Sequence, residues 1–327
     1  MSDYTITAGD VKLDIADLEK KYDAVLEPIF KNSLPEMPRP VSVAYDKGCD
    51  LLINKAPGTI AKPKVLIPVF PGTNCEYDMA AAFNRYGGEA EIFVIRNLSA
   101  KNMEDSVNEF AKRIEDSQMI AVPGGFSGGD EPEGSAKFIN AFFRNPKIKD
   151  AVENMLYARD GLMIGICNGF QALIKLGLVP FGKIVPLSSE SPTLTYNTIG
   201  RHQSQLALTK ICTNKSPWLM HCKVGEVYNI PISHGEGRFV ASDEVIAKLI
   251  ENGQIATQYV DLNGEPTMDL AYNPNSSMCA IEGIISPDGR VLGKMGHTER
   301  ISSDTCVNVD GNKEQLLFKG GVDYFRI

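Results

Sequence analysis

Gly161-Leu-Met-Ile-Gly165-Ile-Cys167-Asn-Gly169-Phe-Gln171-Ala-Leu173 is the stretch whose reading decides the fold. Leu162 to Ile166 is a short apolar run of the kind a buried strand requires. A single cysteine follows, and Phe170-Gln-Ala-Leu-Ile174 then has helical character. Glycines stand two residues before and two residues after Cys167, the cysteine form of the Gly-x-Ser-x-Gly nucleophile elbow. In such an elbow a sharp strand-to-helix turn holds the nucleophile in a strained conformation. Strand and helix pass so close that the flanking positions must be small. The unpaired N–H groups of the helix N-terminus face the sulfur and lower the thiol pKa from its free value of ~8.5. A structural cysteine at the end of a core strand would account for the same residues, so the rest of the chain has to decide.

Upstream, strand and helix alternate from Lys64 onward. Val65–Phe70 reads as a buried strand, with Pro68 as a signal of an edge or bulge. Pro71-Gly-Thr-Asn74 turns, and Asn74 is placed to cap a helix over residues 75–86. A strand at Ala90–Ile95, a helix marked by Met103, Val107, Phe110, Ala111 and Ile114, and a strand at Met119–Val122 come next. That third strand runs into Pro123-Gly-Gly125, and a helical stretch over 135–157 is broken at Pro146. Alternation of this kind predicts an α/β fold with a doubly wound, mostly parallel sheet. Ligands of such sheets bind beyond the carboxyl ends of the strands, where Pro71-Gly72, Gly124-Gly125 and Cys167 all fall. After Val179 the pattern changes to short strands, Gln205–Thr209, Val224–Ile232, Gln254–Val260 and Met278–Ile285. Val291–Met295 pairs with the last of these through Pro287-Asp-Gly289, so the C-terminal half predicts antiparallel additions.

Residues 1–62 differ from 63–327. Ile15, Leu18, Tyr22, Val25, Leu26 and Ile29 share one face of a helix starting at Asp14 and broken near Pro28. A proline-rich piece, a short apolar segment at Val41–Ala44 and a linker at Ala56–Pro63 follow. These cannot build a core of their own, so 1–62 is expected to be an arm packed on the main domain, 63–327, or the tail of something larger.

The 327 residues suffice for one large domain with an extension, or for two, and 43% hydrophobic residues can fill a sizeable core. A net charge of −8 without a basic cluster argues against nucleic acid and anionic membranes as partners. No apolar run reaches the ~18 residues of a membrane span, and Met1-Ser-Asp-Tyr does not open a signal peptide. Seven cysteines, odd in number and without Cys-x-x-Cys, argue for a reducing cytoplasm and against a disulfide framework or a zinc site.

A cysteine nucleophile needs a base, and the base needs an orienting group. Two pairs offer both, His234-Gly-Glu236 and His297-Thr-Glu299, each after a strand-like run. His202 and His221 have no acid nearby in sequence and read as surface or polar-core residues. Ala121-Val-Pro-Gly-Gly125-Phe-Ser-Gly-Gly129 matches neither phosphate-loop fingerprint. Its glycines suit donation of backbone N–H groups to an oxyanion, or else a flexible surface loop. Cys75 lacks the small flanks of Cys167 and is not taken as the nucleophile.

Taken together, Pro123-Gly-Gly-Phe-Ser127, Gly165-Ile-Cys-Asn-Gly-Phe-Gln171, His234-Gly-Glu-Gly-Arg-Phe239 and Gly296-His-Thr-Glu-Arg300 resemble one family. It is the class I glutamine amidotransferase domain of phosphoribosylformylglycinamidine synthases. Pro71-Gly-Thr-Asn-Cys-Glu-Tyr-Asp78 and Ile281-Glu-Gly-Ile-Ile-Ser-Pro-Asp-Gly289 agree, and the resemblance spans about Lys64 to Arg300. It implies a flavodoxin-like sheet and a glutaminase with the triad Cys167, His297 and Glu299. It further implies oxyanion donors at the backbone of Gly125 and Asn168. Glutamine would be held by Gln171, His234, Gly235, Glu236 and Gly237. Ammonia would pass to a synthetase part that uses ATP and magnesium, with no metal or other cofactor in this domain. Residues 1–62 resemble the end of that synthetase part in a long single-chain form. The chain departs from the pattern at Gly296 and Thr298, where many relatives have prolines beside the histidine, and at Gly128 and the acidic Asp130-Glu-Pro-Glu133. A cysteine hydrolase of another kind on the same sheet, or a non-catalytic docking module, are the rival readings.

Overall fold

The computed structural model describes residues 4–31, 35, 37–48, 59–129 and 135–326. The acidic stretch at 130–133 and part of the expected linker, residues 56–58, lie outside them. The described chain begins with a hairpin, β1 (Thr5–Ala8) and β2 (Val11–Asp14), leading into α1 (Ile15–Ala24). α1 starts beside Asp14, where the helix was expected to begin, and Asp14 caps it, its carboxylate accepting from Ala16 N at 2.8 Å and Asp17 N at 3.3 Å. The hairpin was not foreseen; its signal was the Gly9-Asp10 turn between two alternating segments. No residue of α1 is buried.

Residues 39–46, in contrast, strap the main domain. Arg39 pairs with Asp261 at 2.9 Å, Val43 N donates to Gln258 Oε1 at 2.9 Å, and Tyr45 bridges to Thr213.

The main domain is built on a nine-stranded sheet. Its parallel half comprises β3 (Lys64–Val69), β4 (Glu89–Val94), β5 (Met119–Val122), β6 (Leu162–Ile166) and a later strand, Val291–Lys294. The short intermediate strand β7 (Thr193–Tyr196) lies outside this sheet, in a two-stranded ladder. The antiparallel half contains β8 (Gln203–Ile211), β9 (Val227–His234), β11 (Ile255–Tyr259) and β12 (Ile281–Ile285), and Val291–Lys294 is thus β13. β10 (Glu236–Val240) pairs with β7. The full order is β4-β3-β5-β6-β13-β12-β11-β8-β9. The antiparallel additions of the C-terminal half therefore extend one edge of the parallel sheet.

Pro68 sits in an inner strand, against the expectation of an edge. Lys64 N and O both face the β5 side, so by alternation the missing N–H of Pro68 faces it too. The β3–β5 ladder ends at Leu66↔Ile120, so no ladder bond is lost there.

Helices α2 (Glu76–Arg85), α3 (Ala100–Glu115), α4 (Lys137–Phe143), α5 (Pro146–Glu153) and α6 (Asn168–Leu176) follow the parallel strands; α7 (Asp243–Glu251) and α8 (Leu317–Tyr324) come later. The connection β3–α2–β4 runs one way across the sheet and β4–α3–β5 runs back. Right-handed crossovers then put α2 and α3 on opposite faces, the doubly wound arrangement. The order reverses between β3 and β5, so the crevice expected to hold a ligand opens beyond their carboxyl ends. One apolar core runs through both halves, from Val65 and Phe83 to Ile284 and Phe325. Among the described residues no helix is long and apolar enough to cross a membrane.

Candidate active site

Cys167 stands between β6 and α6 with φ +53° and ψ −106°. A non-glycine residue holds such a conformation only where its surroundings over-determine it. Here they do. Its N–H donates to Lys294 O at 2.8 Å, which ties it to β13. A Cβ on Gly169 would lie 2.0 Å from Val122 O, and one on Gly165 would lie 2.6 Å from the Gly169 carbonyl carbon. Both flanks of the elbow must therefore be glycine, as the spacing implied. α6 begins at Asn168, so Cys167 occupies the N-cap position of the helix.

The two His-x-Glu pairs differ sharply. His297 follows the end of β13, its N–H donating to Pro231 O at 2.8 Å. Its Nδ1 is 2.6 Å from Glu299 Oε1, with both side chains almost wholly buried. Burial opposes the imidazolium, but the Glu299 carboxylate and the Cys167 sulfur facing the ring hold its pKa well above the usual histidine value. A Cβ placed on Gly124 would lie 2.8 Å from His297 Cε1 and 3.4 Å from Cys167 Cβ, so the imidazole and the Cys167 side chain share the space over that glycine.

In the other pair, Glu236 does not touch its histidine; its Oε2 accepts from Ser135 N at 3.2 Å. Burial first, then the nearby His297 and His202, push the His234 pKa down to about 3, so this ring is neutral. Both its nitrogens are buried without a protein partner. The Arg238 Nε is buried without a hydrogen-bond partner among the described residues.

The glycine-rich loop after β5 is tied down rather than free. Phe126 N donates to Gly72 O at 2.8 Å, Gly128 N to Pro71 O at 2.7 Å, and Asn74 N to Gly124 O at 3.2 Å. Gly125 has φ +139°, and a Cβ there would meet Gly72 O at 2.7 Å. Ser127 N donates to Asn168 Oδ1 at 3.3 Å, which joins the loop to the elbow helix. Asn74 does not cap α2 as expected. The N-cap residue is Cys75, without a side-chain cap bond, and Asn74 Oδ1 accepts from its thiol at 3.0 Å. The geometry that places Asn74 N against Gly124 takes its side chain away from the helix.

A cavity of about 280 Å³ opens beside Cys167, lined by Gly125, Gln171, His234, Gly235 and Glu236 among others. Gln171 braces its wall. Its Nε2 donates to the Glu236 carbonyl and its Oε1 accepts from Asn168 Nδ2 at 2.8 Å. Gly237 lies just behind, its carbonyl accepting from Asn275 Nδ2 at 2.7 Å. Sequence reasoning missed the opposite wall, Tyr196, Arg201 and His202, and set His202 aside as a surface or core residue. His202 Nε2 is 2.9 Å from Ser233 Oγ, and its ring lies 6.2 Å from that of Phe126. The short run from Asn197 to His202 carried no periodicity that could have marked it.

Cys75 is the other surprise. Its buried sulfur accepts from Arg300 Nη2 at 3.0 Å and lies 3.8 Å from His297 Nδ1. Cys75, His297 and Glu299 thus gather donor atoms within 4.8 Å of one another, a set of metal-ligating types. The Nδ1 proton is committed to Glu299, however, and a guanidinium on the sulfur opposes a further cation. The arrangement suits a hydrogen-bonded base better than a metal.

A strained cysteine at a helix N-terminus and a buried imidazole held by a carboxylate are the groups that a thiol-dependent hydrolase or amidotransferase of the triad type requires. Residues 62–325 match the CobB/CobQ-like glutamine amidotransferase domain, and the chain belongs to that family. Among curated relatives, phosphoribosylformylglycinamidine synthase subunit PurQ of Chlorobium chlorochromatii is 34% identical over 262 residues, covering 77% of this chain and 93% of the relative. The subunit PurQ of Aquifex aeolicus is 33% identical over 249 residues, covering 76% and 95%. Among solved structures, PurLQS from Thermotoga maritima matches with a TM-score of 0.57 and 26% identity, over 80% of this chain and 99% of the other.

Proposed function

We propose that this chain hydrolyses glutamine through a thioester on Cys167. The ammonia released serves the ATP-dependent conversion of formylglycinamide ribonucleotide to formylglycinamidine ribonucleotide in purine biosynthesis. The observation that carries the reading is the joint placement of Cys167 at the elbow and the His297–Glu299 pair, 2.6 Å apart, over Gly124.

The raised pKa of His297 keeps its imidazole protonated at rest. The Cys167 thiolate attacks the side-chain amide carbon of glutamine, and backbone N–H groups of Gly125 and Asn168 receive the oxyanion. With Nδ1 bound to Glu299, Nε2 of His297 gives its proton to the departing nitrogen, which leaves as ammonia. The neutral imidazole then takes a proton from water, whose hydroxide splits the thioester to glutamate. Glu299 keeps the tautomer and orientation of the ring throughout. Glu236 offers the cavity a carboxylate for the ammonium of the substrate. Neutral His234 and the backbone of Gly235 and Gly237 shape the rest, while Gln171 holds that wall in place.

ATP and magnesium belong to the synthetase part, which is the partner of this domain, and the setting is the cytoplasm. Residues 1–62 are the end of that part in a long single-chain form, and 63–327 are the amidotransferase domain. The apolar face of the arm supports this. Tyr22, Val25, Ile29 and Phe30 are 81%, 71%, 73% and 54% exposed, as surface awaiting the remainder of a larger body would be.

Exposure to a diazo-ketone analogue of glutamine followed by mass spectrometry tests the reading. A single adduct on Cys167, absent in Cys167→Ser, is expected. Labelling by a general thiol reagent but not by the analogue would instead favour another cysteine hydrolase.

A further inference from the structure

Gly296 and Thr298 leave the catalytic histidine without the rigid neighbours that prolines would supply. A buried ion pair stands against both of these neighbours. Lys294, the last residue of β13, and Glu282 in β12 both point into the core, with side chains 1% and 0% exposed and Nζ 3.5 Å from Oε1. An isolated pair in such a place is a poor source of stability, because desolvation cancels much of the attraction. The ammonium is nevertheless well held. Besides its ion pair with Glu282, it donates to Thr298 Oγ1 at 2.9 Å and to Gly296 O at 3.3 Å. Glu282 in turn accepts from Gly296 N at 2.5 Å and from the Thr257 hydroxyl. Thr298 passes its own proton to Gln315 Oε1 at 2.9 Å. Every polar contact of the pair with its surroundings, the Thr257 hydroxyl apart, lands on the residue before or the residue after His297. The Lys294 carbonyl, meanwhile, accepts the N–H of Cys167 at 2.8 Å.

We propose that Lys294 and Glu282 are positioning residues that clamp Gly296 and Thr298, and so set His297 and Glu299 against Cys167. The inference rests on the reading of His297 as the base. Lys294 is the hinge of the device, because its backbone orients the nucleophile and its side chain orients the base. A Cβ on Gly296 would lie 2.8 Å from Ile230 Cγ2 and 3.0 Å from Glu282 Oε1, so the clamp and a bulkier residue exclude each other at that position. Rigidity comes from hydrogen bonds in place of ring closure.

The test is the double variant Lys294→Met with Glu282→Gln, which removes both buried charges together and keeps an acceptor for Gly296 N. Melting temperature, the kinetics of Cys167 labelling by the diazo-ketone analogue, and the pH dependence of Cys167 alkylation by iodoacetamide are measured. The expected result is a melting temperature within a few degrees of the unsubstituted chain and a maximal labelling rate about 10–100-fold lower. That is the usual cost of losing a partner that orients an active group. The half-saturating analogue concentration should stay within about twofold, and the alkylation profile should move to higher pH as the displaced imidazolium ceases to support the thiolate. A merely structural pair would leave that profile in place. Should the double variant not fold, Thr298→Val carries the same test, since it takes one acceptor from Lys294 without touching a charge. A folded variant that labels at the unsubstituted rate, or that only binds the analogue more weakly, overturns the proposal. Failure of the unsubstituted chain to label at Cys167 would overturn the glutaminase reading itself.

Discussion

Glu299→Gln isolates what the carboxylate does, because the amide is the same size and can still accept a hydrogen bond. Glu299 Oε1 lies 2.6 Å from His297 Nδ1, and its Oε2 is buried without another partner. The charge is therefore committed to the imidazole. Two unit charges at that separation attract by roughly 6 kcal/mol at an effective dielectric of ~20. The amide would retain a neutral hydrogen bond with a net worth of about 1 kcal/mol. The difference, about 5 kcal/mol, bounds the loss from above, and each 1.4 kcal/mol is about tenfold in rate. A fall in kcat of about 10³-fold is expected, with KM changed by no more than about threefold, since the contact gains importance as the proton moves. Steady-state glutamate release in the presence of the synthetase and its substrates is the assay, with circular dichroism as the control for folding. The substitution also has a sign in pH. The raised pKa of His297 contributes stability that is fully present below ~6.5 and is lost as pH rises through the folded value. Glu299→Gln should thus destabilise the protein most at acidic pH and least at alkaline pH. A folded variant with kcat within tenfold of the parent would refute the role of Glu299 as the orienting group.

Cys167→Ser should abolish glutamine-dependent synthesis and leave ammonia-dependent synthesis intact in the complete enzyme; loss of both by folded protein would count against a separate nucleophile site. Gly169→Ala puts a methyl 2.0 Å from Val122 O, on backbone that cannot give way cheaply. It should destabilise by about 1–3 kcal/mol and slow Cys167 labelling, whereas a wild-type denaturation midpoint would show that the elbow is looser than described. His234, held to a pKa of about 3, contributes stability present above ~6.5 and lost as pH falls toward the folded value. Near pH 5 that loss is about 2 kcal/mol. His234→Gln should flatten the urea-measured stability between pH 7 and pH 5 by about that amount, and an unchanged slope would mean that the ring is not neutral in the folded state.

Much of the parallel half of the sheet was legible because β3, β5 and β6 each contain a run of four or more consecutive buried residues, and helices follow them. Met119–Val122 and Leu162–Ile166 fall where the sequence places them. The elbow was legible for a stronger reason, since Gly165 and Gly169 are demanded by contacts that no other residue could make. The choice between His234 and His297 was not legible from composition. Both sit in His-x-Glu after a strand, and the difference lies in Ser135, which occupies the Glu236 carboxylate from a hundred residues away in sequence. Asn74 misled because its local capping propensity was overridden by a strand-like pairing of its backbone with Gly124. Cys75 and His202 were passed over for the same reason. Their partners, Arg300 and Ser233, are distant in sequence, and neither residue has a local pattern that announces them.

The site draws on both halves of the sheet, and this explains why β13 carries so much. The strand is parallel to β6 on one side and antiparallel to β12 on the other. Its parallel edge presents the Lys294 carbonyl to Cys167, and its antiparallel edge meets Glu282, which accepts from the backbone of Gly296 just before His297. A doubly wound sheet alone can supply the elbow after β6 and the glycine-rich loop after β5. His297 and Glu299 come from the chain that returns after the antiparallel excursion, and that excursion also brings β9 and its His234 to the cavity. A change of register between β12 and β13 would therefore move the imidazole relative to the sulfur without altering a single reacting group. Substitutions along β13 should separate cleanly from those on β4 at the far edge. The former should act on the rate of thioester formation, while the latter should act on stability alone.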